Sequence, residues 1–145
     1  MGKVSLAESV VNEMYDKDWF SKWLGIERIT TGEGTSVLKM TIRKEMLNGF
    51  GIAHGGITYS LADSALAFAS NSHGRKAVSI ETSISHTESL KEGDIIIASA
   101  KELSLSNKIG IYEVTVSKED QQIVALFKGT VYRTSKEWFP GDVKE

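Results

Sequence analysis

One carboxylate of the sequence falls among apolar residues. Asp63 lies within a predicted helix that runs from about Gly55 to Ser70, and its neighbours include Ala62, Ala65 and Leu66. A carboxylate in such surroundings must be paired, or burial must raise its pKa. Because apolar and small residues cover this helix on nearly all sides, we expect it to be buried and interpret Asp63 as a functional acid. An acid that is satisfied by a partner or partly exposed is the alternative.

Two glycines open the same helix. Gly55 and Gly56 follow His54, and their backbone N–H groups are approachable because no side chain shields them. The positive end of the helix dipole adds to these donors, so together they can hold a carbonyl oxygen that gains charge, as an oxyanion hole does. The alternative is a tight loop-to-helix turn, with His54 as a turn-stabilising histidine and not a catalyst. Both interpretations remain open on the residues alone.

The composition excludes several classes of protein. The 145 residues include no cysteine, which excludes disulfide scaffolds, thiol catalysis and zinc–cysteine sites. The 19 acidic residues against 17 basic ones give a net charge of -2, so no basic excess favours nucleic acid. No stretch approaches the length of a membrane span, and the N-terminus lacks the layout of a signal peptide. We therefore expect a cytoplasmic protein that binds neither nucleic acid nor membrane.

The spacing of histidines and glycines excludes further sites. His54, His73 and His86 are far apart, and no pair has the spacing of metal ligands, so no metal site is expected. His73 and His86 are interpreted as surface or strand-end residues. Gly49-x-Gly51 resembles the start of a dinucleotide fingerprint, but its sixth position is His54, and the strands that follow do not alternate with helices.

The elements that position Asp63 follow from the hydrophobic periodicity. Two short helices come first: Ser5 and Glu8 form a capping box for one, and Asp16 or Asp18 caps the other, which Gly25 ends. Alternating β-branched and apolar residues then predict strands at 26–31, 35–43, around 78–85, 94–105, 108–117 and 122–133.

The order of these elements predicts the fold class. Two strands, one central helix and four strands indicate an α+β fold, in which a long antiparallel sheet packs against one helix. Short connections at 106–107 and 118–120 suit hairpins, and the last strand is apolar on both faces, as expected of a central strand. The length favours a single domain, 1–145, with a core of about 24–134, a short helical extension at 1–23 and a tail at 135–145.

Several motifs resemble the hotdog-fold acyl-CoA thioesterases, in particular their phenylacetate-degradation (PaaI-type) branch. The resemblance spans residues 24–133, and its most specific parts are Asn48 with His54-Gly55-Gly56, Leu61-Ala62-Asp63, Ala69-Ser70-Asn71-Ser72, Lys108 to Tyr112 and Val124 to Gly129. It implies a sheet wrapped around one helix, a homodimer and often a homotetramer. It also implies no metal or prosthetic group, since coenzyme A is part of the acyl-CoA substrate.

The resemblance also assigns roles. Asp63 matches the family's catalytic acid, which acts as a general base on water or as a nucleophile. Gly55 matches the glycine whose N–H polarises the thioester carbonyl, and Asn48 the loop asparagine that holds the carbonyl or the water. The predicted substrate-binding residues are His54, Gly56, Phe50, Tyr59 and Ser79, of which Ser79 matches a hydroxyl that orients water in some relatives. Leu66 and Phe68 are further candidates for the lining of the acyl pocket.

One segment departs from the family pattern. Residues 85–89 read Ser-His-Thr-Glu-Ser, where relatives often carry an apolar residue, Arg or Lys, and Pro at the place where CoA binds. Lys91 is the candidate replacement for that cation.

The leading hypothesis is an acyl-CoA thioesterase for an aromatic or medium-chain acid. The alternatives are a hotdog hydratase or dehydratase, a non-catalytic acyl-CoA-binding module and an assembly protein. A pure binding module has no reason to place the Asp63 carboxylate in a buried helix.

The helix itself sets a distance problem. Gly55 and Asp63 are eight residues apart, which is about 12 Å along a helix. A carbonyl held at the Gly55 N–H is therefore too far from the same chain's Asp63 for reaction, which needs roughly 3–3.5 Å. We expect the site to be shared between antiparallel helices of a two-fold dimer, with Asn48 acting on the Gly55 side.

Overall fold

The structure, a computed structural model, describes residues 3–141 and consists of a six-stranded antiparallel sheet with one long helix packed on it. The helices are α1 (Leu6–Asp16), α2 (Trp19–Leu24) and α3 (Gly55–Asn71), with a 3-10 turn at Lys44–Met46. The strands are β1 (Glu27–Gly32), β2 (Thr35–Thr41), β3 (Arg75–His86), β4 (Ile95–Leu105), β5 (Ile109–Lys118) and β6 (Ile123–Glu137). The predicted α+β class, element order and hairpins are confirmed.

The strand order is β1-β2-β4-β5-β6-β3, so β1 and β3 are the edges of the sheet. The sheet face toward α3 forms the core, and its buried residues alternate along β5 as Tyr112, Val114 and Val116. β6 is an interior strand as predicted, but Leu126 on its other face is exposed. The apolar residues on both faces of β6 are therefore not all buried within this chain.

The N-terminal helices are part of the core. Val10 and Val11 of α1 are fully buried, and the Tyr15 hydroxyl donates to the Ile26 carbonyl oxygen at 3.1 Å. The predicted capping box of Ser5 and Glu8 opens α1. Asp18, and not Asp16, caps α2, which ends at Gly25 in the left-handed conformation that glycine adopts readily.

A buried asparagine fixes the C-terminal end of α3. The Asn71 side-chain amide donates to the Ala77 carbonyl oxygen at 3.2 Å, and its oxygen accepts from the Ala77 N–H and from Trp138 Nε1, both at 2.9 Å. One residue thus holds α3, β3 and the end of the chain together. The predicted tail begins too early, because β6 continues through Glu137 and Trp138 docks on Asn71. Residues 142–145 of that tail lie outside the described residues.

A polar cluster lies close to the same end of α3. Glu102 Oε1 accepts from the Tyr112 hydroxyl at 2.6 Å and lies 2.7 Å from His73 Nε2. Although partial burial opposes ionisation of Glu102, these hydrogen bonds hold the pKa of its carboxyl below the ordinary value. The prediction that His73 is a surface or strand-end residue is wrong, because its ring is mostly buried in this cluster.

Gly129 of β6 sets how closely α3 approaches the sheet. A Cβ atom at this position would lie 2.5 Å from Cδ2 of Leu66, closer than real Cβ contacts allow. Leu66 is fully buried and lies one helical turn beyond Asp63, so any side chain at residue 129 pushes directly on that part of α3.

We predict that Gly129→Ala lowers the free energy of unfolding by about 1–3 kcal/mol, the usual cost of overpacking a core. Gly49→Ala is the matched control, because nothing lies within 4 Å of a Cβ there. Denaturant unfolding of both variants at one protein concentration measures the effect. Equal stability of the two variants would contradict the close approach at Gly129.

Candidate active site

Helix α3 leaves one stripe partly open, and Asp63 lies on it. Gly56, Ser60, Asp63 and Ala67 follow each other at spacings of three or four residues and are exposed or half-buried. The expectation that α3 is buried nearly all round is therefore wrong for this stripe. The rest of the described chain covers it only in part, which leaves the carboxylate accessible.

Asp63 lies in a cavity of about 240 Å³ between α3 and the edge strand β3. Ser79 lines the same cavity, because Ile80 is bulged out of the β3–β6 ladder and the bulge breaks the strict alternation expected for β3. The bulge also leaves Val78 and Ile80 exposed, at 56% and 59%. Sequence parity alone did not decide which face Ser79 occupies.

The electrostatic setting of Asp63 favours its protonated form. Burial in the apolar helix, and secondly the negative charge of Asp18, raise the pKa of the Asp63 carboxyl above its ordinary value. Within residues 3–141 the carboxylate accepts no hydrogen bond and forms no ion pair. An unpaired carboxylate with a raised pKa is suited to accept a proton or to attack a carbonyl carbon.

Asn48 presents a free amide donor. Its side-chain oxygen accepts from the N–H groups of Phe50 and Ile52, at 2.9 and 3.3 Å, and so shapes the loop that precedes α3. Gly51 completes the loop with a φ of +81°. Because both acceptor positions of the Asn48 oxygen point into the loop, its NH₂ group remains without a partner among residues 3–141 and is available to a carbonyl oxygen.

The N-terminus of α3 offers two more donors. Gly55 and Gly56 are the first helical residues, whose N–H groups have no partner within the helix. His54 is the N-cap residue, but its side chain makes no capping hydrogen bond. The turn is held instead by the His54 N–H, which donates to the Met46 carbonyl oxygen at 2.9 Å. His54 thus stabilises the turn through its backbone and not through its imidazole.

A second cavity, of about 380 Å³, contains Asn48 and Gly55. It is also lined by His86, Thr87, Glu88 and Ser89, from the segment that departs from the family pattern. A Cβ atom on Gly55 would lie 3.0 Å from Nε2 of His86, so the imidazole packs against the helix N-terminus. His86 is the last residue of β3, as its prediction as a strand-end residue requires, but its position at this cavity was not predicted. Lys91 is not among the lining residues.

The remaining predicted site residues are dispersed. Phe50 is 90% exposed at the tip of the loop. The Tyr59 hydroxyl lies 2.6 Å from Thr82 Oγ1 and its ring packs edge-on against Phe127, so this side chain is already engaged in the fold. Phe68 is buried against Tyr15 and lines neither cavity. Among residues 3–141, no three His, Asp or Glu side chains are grouped as a metal ion would require.

One chain therefore carries two separate half-sites. The donor half-site contains Asn48 and Gly55, and the acid half-site contains Asp63 and Ser79. They lie at opposite ends of β3, next to His86 and next to 77–79 respectively. No helix in the described part of the chain is both long and apolar enough to cross a membrane.

Comparison with known proteins gives the same family at the level of sequence and of structure. Residues 50–125 match the family model of the thioesterase superfamily. The chain is 38% identical to the acyl-coenzyme A thioesterase PaaI of Escherichia coli, over 83% of this chain and 86% of that protein. The solved structure of the E. coli PaaI protein, from the phenylacetic acid degradation operon, aligns with a TM-score of 0.89 at 36% identity and covers 91% of this chain and 96% of that one.

A further solved structure contains a ligand. A protein of Streptococcus mutans, bound to acetyl-CoA, aligns with a TM-score of 0.75 at 27% identity, over 77% of this chain and 90% of that one.

The setting of Asp63 predicts a stability effect that needs no assay of activity. Folding raises the pKa of Asp63, so the folded chain binds more protons at this carboxyl than the unfolded chain does. The free energy of unfolding therefore falls as the pH rises from the ordinary pKa of 3.8 toward the pKa of the folded chain. We predict that Asp63→Asn is more stable than the wild type at pH 7, and that the gain shrinks toward pH 3.8. Denaturant unfolding of both proteins at the two pH values measures this. A variant less stable than the wild type at pH 7 would show that Asp63 has a stabilising partner.

Proposed function

The chain belongs to the thioesterase superfamily and has the hotdog fold of its PaaI-type acyl-CoA thioesterases, and from this we propose that it hydrolyses the CoA thioester of an aromatic or medium-chain acid. As a member of this family it is a thioester hydrolase. The aromatic acyl class is supported by the similarity to PaaI, which comes from the phenylacetic acid degradation operon of E. coli. Coenzyme A enters as part of the substrate, and we propose that the reaction needs no cofactor.

The separation of the two half-sites along β3 carries the proposal of how the site is formed. Among residues 3–141, β3 pairs only with β6, so its other edge has no strand partner along the 12 residues, although Ala77 at its start binds the Asn71 side chain. A second copy that pairs its own β3 antiparallel to this edge, about a two-fold axis near the middle of the strand, sets the His86 end of one strand beside the 77–79 end of the other. The donor half-site of each chain then faces the acid half-site of its partner.

In this homodimer the residues act as follows. The Gly55 N–H and the Asn48 amide hold the thioester oxygen and stabilise the charge that develops on it. Asp63 of the other chain takes a proton from the attacking water, or attacks the carbonyl carbon itself to give an anhydride that water then hydrolyses. In both routes the acyl carbon gains an oxygen from water, the carbon–sulfur bond breaks and CoA leaves as its thiolate.

The other predicted residues fit subsidiary roles. Ser79 lies in the acid half-site, where its hydroxyl can orient the attacking water, and the Gly56 N–H adds to the donors at the start of α3. Exposed Phe50 and His54 flank the donor half-site and are proposed to contact the substrate. Tyr59 contacts it only if its bond to Thr82 is exchanged for one to the substrate. Assembly of two dimers into a homotetramer remains a prediction from the family resemblance.

The first test measures thiol release from phenylacetyl-CoA, hydroxyphenylacetyl-CoA, benzoyl-CoA and straight-chain acyl-CoAs. We predict the highest kcat/KM with an aromatic or medium-chain thioester and a loss of kcat of about a hundredfold or more in Asp63→Asn, because Asn keeps the size but is neither base nor nucleophile. Asp120→Asn, an exposed carboxylate in the β5–β6 turn, is the control. Near-wild-type turnover by Asp63→Asn would overturn the role of Asp63, and no turnover of any thioester by the wild type would favour a binding module.

The shared site is tested by mixing chains. When Asp63→Asn and Asn48→Asp chains are refolded together in equal amounts, half of the dimers are heterodimers with one intact and one doubly damaged site, so about a quarter of wild-type activity is expected. Asn48→Asp keeps the loop acceptors but removes the amide donor. Sites contained within single chains would give no recovery.

The reciprocal mixture is the matched control. In this mixture, wild-type chains are combined with an equal amount of chains that carry both substitutions. If sites are shared, every site of a heterodimer has one lesion, and about a quarter of full activity is expected. If each chain has its own site, about half of full activity is expected. Native mass spectrometry of the mixtures establishes that heterodimers have formed. Recovery near zero in the first mixture together with one half in the second would exclude the shared site.

A further inference from the structure

Helix α2 contacts α3 directly beside Asp63. The Ser21 hydroxyl of α2 lies 2.8 Å from the Ser64 hydroxyl of α3, and Ser21 is almost fully buried. Ser64 follows Asp63 in the chain. The contact therefore fixes the position of α2 relative to the turn of α3 that carries the acid.

Asp18 is tied to this contact on its other side. As the N-cap residue of α2, its carboxylate accepts from the Ser21 N–H at 3.0 Å and from the Ser21 hydroxyl at 2.7 Å. A continuous chain of hydrogen bonds thus runs from Asp18 through Ser21 to Ser64. Both oxygens of the Asp18 carboxylate are therefore held by Ser21 at the start of α2.

We propose that Asp18 is a positioning residue for the reaction, and that it acts by holding a second negative charge beside Asp63 through helix α2. The inference rests on the proposed role of Asp63. With this role for Asp18, the N-terminal helices are part of the active site, although residues 1–23 were predicted only as a helical extension.

The consequence concerns the affinity of Asp63 for protons. Burial and, second, the charge of Asp18 both raise the pKa of Asp63. A carboxylate of raised pKa accepts a proton from water more readily, and a carboxylate nucleophile gains reactivity for the same reason. Asp18 thus makes Asp63 a stronger base at the pH where it is ionised, at the cost of activity in acid.

The other charged groups around α3 are engaged elsewhere or face away from it. On α2, Lys22 Nζ donates to the Asp16 carbonyl oxygen at 2.8 Å and lies over the Trp19 ring. No other residue of α3 is charged. Glu81 and Lys128 lie on the sheet face away from α3. Lys128 precedes Gly129, which faces the helix, and Glu81 pairs across the ladder with Thr130, which follows Gly129. Arg75 donates to the Thr134 carbonyl oxygen at 3.0 Å, and Arg133 donates to the Ser106 carbonyl oxygen at 2.6 Å. Neither arginine lines the cavity that contains Asp63. In the proposed dimer, the N-terminus of the partner's α3 opposes the effect, but equally in every variant compared below.

The variant that tests the inference is Asp18→Asn. Asparagine caps helices as well as aspartate does, so α2 should persist while its charge is lost. Asp16→Asn is the matched control, because Asp16 is an exposed carboxylate only two residues away that does not bind Ser21. Thermal unfolding of both variants verifies that they fold.

Two measurements follow from the same substitution. The acid limb of kcat/KM against pH should move to lower pH in Asp18→Asn and stay in place in Asp16→Asn, so that activity in the acid limb, relative to the plateau, rises about twofold or more. The ¹³Cγ titration of Asp63 in protein labelled with [¹³C]aspartate, assigned by its absence in Asp63→Asn, should move in the same direction.

The carboxyl titration separates this inference from the proposed function. If the Asp63 midpoint is the same in the wild type and in Asp18→Asn, or moves equally in Asp16→Asn, the inference is overturned, whatever the catalytic role of Asp63. If the midpoint moves while Asp63→Asn retains full turnover, the electrostatic effect of Asp18 stands and the proposed function fails.

Discussion

The rigidity of one helix is the constraint on which the rest of this structure depends. α3 carries the Gly55 amide and the Asp63 carboxylate eight residues apart, and a helix cannot bend to bring two points on its own axis together. The donors at the helix start and the acid in its middle therefore remain in different cavities, at opposite ends of β3. The exposed edge of β3, its bulge and the open stripe of α3 have a common explanation if a second chain completes the site.

Much of the remaining fold serves to hold α3 in place. Asn71 ties its C-terminal end to β3 and to Trp138, while the backbone of His54 and the Asn48 loop hold its start. Gly129 permits the close approach of the helix to the sheet. These contacts surround a carboxylate that accepts no hydrogen bond and forms no ion pair among residues 3–141, so the acid is not one of the interactions that hold α3 in place.

Local patterns in the sequence were sufficient for the elements, and they also singled out Asp63 and Gly55 as candidate site residues. The alternation in β5, the apolar character of β6 and the glycine pair that opens α3 each specify their structure within a few residues. Asp63 stood out because its neighbours are apolar. Long-range contacts were not predictable in the same way. The partners of His73 and Asn71 come from residues 102, 77 and 138, and no local pattern links them.

The site showed the same division. The family resemblance pointed to Asn48, but only the structure shows which end of its amide is free. The bulge at Ile80 puts Ser79 on a different sheet face from the one that strict alternation along β3 would give it. No residue type in that segment predicts a bulge. His86 lies in the donor half-site because β3 ends against the start of α3. Hydrophobic periodicity predicts each of these two elements but not their contact.

The unpaired edge of β3 links catalysis to protein concentration. In a site completed by pairing of β3 strands, dilution below the dissociation constant separates donors from acid, and specific activity falls with no change in the fold of either chain. The separated chain also exposes Val78 and Ile80 on a 12-residue edge, a surface that pairs readily with strands of other proteins. Assembly of the chain would therefore have two independent effects: it would complete the site for turnover, and it would cover an edge that is prone to aggregation.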